Sequence, residues 1–146
     1  MSDTLTTIQD AIRDRLAAVP YFATAPAIPV LSESHGDLAN EMAIQLDQLG
    51  IGAVVKTTSL QPSADLPDRA LQMSLAISIG ELVVLNRSAT GSQKPAMSAA
   101  LEAWNSLNGW TPLTNWTPVA CRRITSSVIE GLLVYVLEAD STLLLS

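Results

Sequence analysis

The sequence predicts an α+β domain: a mainly antiparallel β-sheet with about three helices packed on one face, a two-layer sandwich formed by residues 1–146 as one unit. Three observations carry this. Between Arg69 and Ile79, the apolar residues Leu71, Met73, Leu75, Ile77 and Ile79 alternate with Gln72, Ser74, Ala76 and Ser78, the pattern of a strand with one covered and one wet face. Apolar residues recur at helical spacing in two early segments. Near the other end, Glu130-Gly131 separates two β-branched runs, a hairpin signal.

Taken in order, Leu5, Ile8, Ile12 and Leu16 form one face of a helix from Thr4 to Val19, which Pro20 ends. Tyr21 to Pro29 carries two prolines, Pro26 and Pro29, directly after Pro20, and reads as a connector to a short strand, Val30 to Ser34. Gly36 and Asp37 introduce a second helix, with Leu38, Met42, Leu46 and Leu49 on one stripe and Gly50 as its stop. Strands follow at Ile51 to Ser59 and Arg69 to Ile79. A third helix spans Pro95 to Leu107, with Met97, Ala100, Leu101 and Trp104 on its apolar side. Cys121 to Ile129 and Leu132 to Glu138 complete the pattern as a hairpin.

The chain is 48% hydrophobic and 15% charged, enough apolar surface to fill a core and leave some for a partner. Fourteen acidic residues against eight basic ones give a net charge of −6, which repels phosphate backbones and anionic lipid. The first residues, Met-Ser-Asp-Thr-Leu-Thr-Thr, lack the basic start and apolar run of a secretory signal, and the longest apolar stretches are too short to span a bilayer. These features point to a soluble, intracellular product with no cofactor. Cys121 is the only cysteine, so an intrachain disulfide is excluded.

The stretch from Leu82 to Ala96, LVVLNRSATGSQKPA, looks like a strand, a phosphate loop and a helix. A P-loop requires G-x-x-x-x-G-K-[ST]; here Gly91 stands alone, and Pro95 follows Lys94 where the magnesium-binding hydroxyl belongs. A helix entry explains the residues better, with Ser92 as cap and Pro95 in the first turn. Arg87 and Lys94 are then available to pair with acidic groups of a neighbouring molecule. Ser34-His35-Gly36-Asp37 cannot form a Ser–His–Asp triad, because adjacent residues do not align as nucleophile, base and orienter. A lone histidine also lacks partners for a metal site. Cys121, beside Arg122 and Arg123, is the remaining nucleophile candidate, and a structural thiol is the favoured reading. Strand alternation places Cys121 and Arg123 on one face and Arg122 on the other. No catalytic or metal-binding set emerges.

The candidates for contact with partners are the loop Gln61 to Asp68, including Asp65, together with Arg122, Arg123, Trp116 and the terminal leucines Leu143, Leu144 and Leu145. Trp110 and Trp116 lie in irregular chain, as a lid or as anchors, and Trp104 belongs to the helix stripe. Reversing Arg122 and Arg123 to glutamate is expected to abolish assembly without unfolding the chain.

The element order resembles the phage tail terminator family over nearly the whole chain. The N-terminal helix, the early strand and helix ending at Leu49-Gly50, and the long hairpin all fit. So do Leu85-Asn86-Arg87-Ser88 before a helix ending at Leu107-Asn108-Gly109-Trp110, and the final strand pair. The proline-rich connector, residues 21–29, departs from that pattern. The resemblance implies a structural, non-enzymatic virion protein of the tail or neck, assembled in the host cytoplasm. It further implies a six-fold homo-oligomeric ring that caps the tail-tube protein, stops its polymerisation and meets the head-side connector. DNA would pass through the lumen without specific binding. Alternatives are another neck, head–tail joining or baseplate protein, or a small-molecule-binding or regulatory α+β domain with tryptophans lining a pocket.

Overall fold

The computed structural model of the chain describes residues 4–33, 37–89 and 91–145. Helix α1 (Thr4–Ala17) buries Ile8, Ile12 and Leu16 completely, as their spacing predicts; the side chain of Leu5 lies outside the described part. Pro20 does more than end it. It opens a one-turn helix α2 (Pro20–Ala23), where a missing N–H costs nothing, and this turn drives Phe22 into the core.

Strand β1 (Val30–Ser32) and helix α3 (Leu38–Leu49) come next. The Asp37 carboxylate caps α3 by accepting the Asn40 N–H at 3.1 Å, and Gly50 stops it in the left-handed region, φ 79°. Glu33, in contrast, turns to β2 and accepts the Thr57 N–H at 3.1 Å. Ser34, His35 and Gly36, the triad-like segment, lie outside the described residues.

The remaining elements are β2 (Ile51–Pro62), β3 (Ala70–Leu82), a short helix α4 (Val83–Asn86), α5 (Ala96–Leu107), β4 (Ala120–Ile129) and β5 (Leu132–Leu144). They form a five-stranded sheet in the order β1-β2-β3-β5-β4, antiparallel except for the β1–β2 pair. The fold is α+β, as expected. Ile51, Ala53 and Val55 of β2, Met73, Leu75, Ile77 and Ile79 of β3, and Leu137 and Ala139 of β5 form one core with α1, α2 and α5.

Helix α3 takes the other face, which corrects the expectation that the helices pack on one. Gly52 and Gly80 are cross-strand partners, and a Cβ on either would meet Met42 of α3, at 2.9 Å from its sulfur and 3.3 Å from its methyl respectively. The two bare backbones let α3 approach closely, so its stripe of Leu38, Met42, Leu46 and Leu49 is only half-buried.

Helix α5 also presents a different face from the one its sequence suggests. Ala96, Ala99, Ala100, Ala103 and Leu107 are buried, Met97 and Leu101 are 53% and 52% exposed, and Trp104 is half-buried. With apolar residues over more than half of the circumference, periodicity could not choose between stripes. The alanine stripe wins because small side chains let the helix lie close to the sheet.

The strands outrun their sequence-based limits. β2 continues to Pro62, so Gln61 pairs with Gln72 in the sheet, and the connection containing Asp65 and Asp68 shrinks to residues 63–69. β5 continues to Leu144.

Candidate assembly surfaces

The stretch from Leu82 to Ala96 is a polar knot. Glu81 is fully buried at the end of β3. Its Oε1 accepts the Ala96 N–H at 3.0 Å, so Glu81 rather than Ser92 caps α5, and Pro95 stands just before the first helical residue. Its Oε2 accepts from Asn86 Nδ2 at 2.7 Å and from Arg87 Nε at 2.9 Å. Burial pushes the Glu81 carboxyl up, but the bonds from Arg87, Ala96 and Asn86 outweigh it and hold the group below its ordinary value. Asn86 Nδ2 also donates to the Lys94 carbonyl at 2.9 Å, and Ser92 Oγ donates to Asn86 Oδ1.

Lys94 Nζ donates to the carbonyls of Thr24 and Pro26 and lies 5.8 Å from the Tyr21 ring centroid. Arg87 and Lys94, expected to pair with acidic groups of a neighbour, are each engaged within their own chain. The apolar residues expected as a strand before the loop are α4. The loop itself is held by side-chain hydrogen bonds from Asn86 and Ser92.

Arg122 and Arg123 are also satisfied internally. Arg122 pairs with Asp140, whose carboxylate further accepts from Ser74 Oγ at 3.0 Å and Gln72 Nε2 at 3.2 Å; Arg123 pairs with Glu138. Glu138 and Asp140 are two apart on β5 and so share the face that α1 and α5 leave bare. Alternation had put the two arginines on opposite faces. A bulge between Cys121 and Arg123 inserts one residue and brings both to that face. Glutamates at these positions would therefore repel Glu138 and Asp140 in the same chain, and the double reversal is not a clean test of assembly.

The arginines, turned to carboxylates, do not activate Cys121. Burial pushes its thiol up to about 11. Alkylation by iodoacetamide at pH 7.5 is accordingly expected to run at least tenfold slower than for a free cysteine, whose pKa is about 8.5. A rate equal to that of free cysteine would contradict this assignment.

Trp116 was a partner candidate and is instead 5% exposed, bridged to Leu143 across the sheet. Trp110 folds back half-buried, with the Arg15 guanidinium 5.0 Å from its ring centroid. The terminal leucines do not hang free. Leu143 packs against the core, and the Leu144 and Leu145 N–H groups donate to Asn115 and Arg69 carbonyls at 2.7 and 2.6 Å, leaving only the outer parts of these two side chains in solvent.

Exposed apolar surface is also found at the opposite end of the sheet. Val84 of α4 is 91% exposed beside a groove of about 460 Å³ lined by Leu82, Val83, Leu85, Ser88, Glu130 and Gly131. Val128 and Ile129 of β4 are 70% and 61% exposed nearby in sequence. A second hollow, also about 460 Å³, lies between Val19, Pro20, Tyr21, Thr24, Lys94 and Glu102. Neither hollow is lined by tryptophan.

Comparison with solved structures found a chain in the structure described as the virion of native gene transfer agent (GTA) particle. It superposes with a TM-score of 0.61 over 93% of each chain, at 16% sequence identity. The likeness is one of fold. No protein-family model matches the sequence, and no curated protein does.

Sequence reasoning missed the groove and the exposed half of β4. Val84 and Ile129 were visible only as members of apolar runs, and nothing local says that such a run ends at a sheet's margin. Among the described residues, no helix is long and apolar enough to cross a membrane.

Proposed function

We propose that this chain is a structural virion protein of the phage-like kind, acting as a tail terminator. The observation that carries the reading is the fold shared, over nearly the whole length of both chains, with a chain of a gene transfer agent virion. The order of elements, which resembles tail terminators on independent grounds, supports the finer assignment.

On this reading the subunits form a six-fold ring seated on the last ring of the tail tube. Termination is steric: one face copies the docking surface of the tube, and the other lacks the complement for a further tube subunit while offering itself to the head-side connector. The two faces of such a ring must differ, one for the tube and one for the connector. The groove beside Val84 and the opposite pole, where Leu60, Leu66, Leu144 and Leu145 are each partly exposed, supply two such ends. The net charge of −6 suits a lumen that DNA crosses without sticking.

The test uses the tube protein encoded in the same gene cluster. Adding this protein to growing tubes is expected to halt elongation and leave a cap at one end in negative-stain images. Tubes that keep growing with bare ends, at any ratio of the two proteins, would remove the proposal.

A further inference from the structure

We propose that the uncharged half of β4, Ile124 to Ile129, pairs as an antiparallel strand with the free end of β2, Thr58 to Gln61, in a second copy of the chain. The inference rests on the ring reading above and names the contact that closes the ring.

β4 is the outermost strand of the sheet, so its outer margin has no partner strand. Natural sheets blunt such margins with charges, bulges, prolines or covering loops. The first half of β4 is blunted in two ways, by the bulge between Cys121 and Arg123 and by the two arginines. Beside it, Asn115 to Thr117 runs along the end of β5: Trp116 bridges Leu143, and the Thr117 N–H donates to the Thr142 carbonyl at 2.9 Å. The second half, Ile-Thr-Ser-Ser-Val-Ile, has none of these devices. It carries no charge, proline or glycine, and Thr125 to Ile129 are all exposed. Six residues of that composition on an open edge form a ready template for another strand.

The opposite margin is open over a stretch of similar length. β1 covers only Ala53 to Val55 of β2, and the Glu33 carboxylate takes the Thr57 N–H. Thr58 sits at the register shift between Thr57 and Ser59, and Ser59, Leu60 and Gln61 then run exposed until Pro62, which ends the pairing potential because it has no N–H.

One subunit thus carries two incomplete edges, one on each side of its sheet. A head-to-tail contact closes both with a single type of interface, whereas pairing β4 with its own copy would leave β2 open. The direction follows from the topology. β4 runs with β3, and β3 opposes β2, so in a ring of identically oriented copies the neighbour's β2 opposes β4. The open stretches lie at opposite ends of the sheet, so successive copies are staggered along the strands, as when strands tilt to the axis of a closed sheet.

Cysteine pairing tests this directly. In a Cys121→Ser background, one preparation carries Leu60→Cys and a second carries a single cysteine at Thr125, Ser126, Ser127 or Val128. Mixing and oxidation are expected to link one chain of each kind at one or two neighbouring β4 positions, with neither preparation linking to itself. A β4 cysteine that links to its own copy would overturn the proposal in favour of two-fold edge pairing. Absence of any link, with the native chain still assembling, would overturn the contact and leave the ring reading intact. A native chain that never assembles would remove both. Thr125→Lys, at an exposed site, is expected to keep the thermal unfolding curve and shift the mass to a single chain; an unchanged assembly mass would also overturn the contact.

Discussion

Glu81→Gln is expected to lower the free energy of unfolding by about 2–4 kcal/mol, measured by urea denaturation at pH 7. The carboxylate is fully buried and faces donors only: the Ala96 N–H, Asn86 Nδ2 and the Arg87 guanidinium. A glutamine of the same shape offers one oxygen and one NH2 group, so a donor is forced against a donor. Arg87→Ala should cost less, because its guanidinium is half exposed and water screens the pair. The pH dependence has a definite sign. The folded-state pKa of Glu81 is depressed below its ordinary value of 4.5, so its contribution is fully present above that pH and is lost as pH falls through the lower folded value. The difference between native chain and E81Q is therefore expected to be full at pH 7 and to shrink in acid below 4.5. An equal difference at pH 7 and pH 3 would contradict the assignment.

Gly91→Ala is expected to cost about 3 kcal/mol or more. A Cβ there would lie 2.1 Å from the Leu85 carbonyl oxygen and 2.4 Å from that of Asn86. Both are backbone atoms that accept hydrogen bonds, from Ser88 N at 3.1 Å and Gln93 N at 2.7 Å, so neither can move without breaking the turn. Gly50 meets the same residue from another direction: its Cβ would lie 2.5 Å from Asn86 N, and its φ of +79° adds strain for any other side chain. Asn86 is therefore held where two stretches of bare backbone approach it. Gly109→Ala is the control. Its φ is +83° but open space surrounds it, so only the left-handed strain of about 1–2 kcal/mol remains. Comparable losses at Gly91 and Gly109 would show that the collision is not what matters.

Much of the scaffold was legible because period and burial coincide. Met73, Leu75, Ile77 and Ile79 alternate into the core as written, and Ile8, Ile12 and Leu16 stack along one helix face. The stop at Gly50 and the turn at Glu130-Gly131 were equally plain, for both glycines take positive φ. The α5 stripe was not, since its apolar residues cover more than half of the circumference. The bulge at Cys121 was invisible too, and it inverted the placement of Arg123, because one inserted residue changes the face of everything after it.

The candidate surfaces were less legible than the fold. Arginines, lysine and tryptophan drew attention as residue types that favour interfaces, yet Arg87, Lys94, Arg122, Arg123 and Trp116 all found partners inside the chain. Whether a charge is free depends on which distant carboxylate or carbonyl the fold brings to it, as Asp140 is brought to Arg122. The exposed half of β4 is uncharged and ordinary in composition. Its significance lies in its position at a margin, which only the strand order reveals.

The central claim is that copies of this chain cover those margins by closing into a ring. The most direct measurement is the mass of the purified protein in solution, followed over a wide concentration range by light scattering and native mass spectrometry. The account predicts a discrete species of six times the 15.5 kDa chain, with a central hole in electron micrographs. A single-chain mass at every concentration would contradict it.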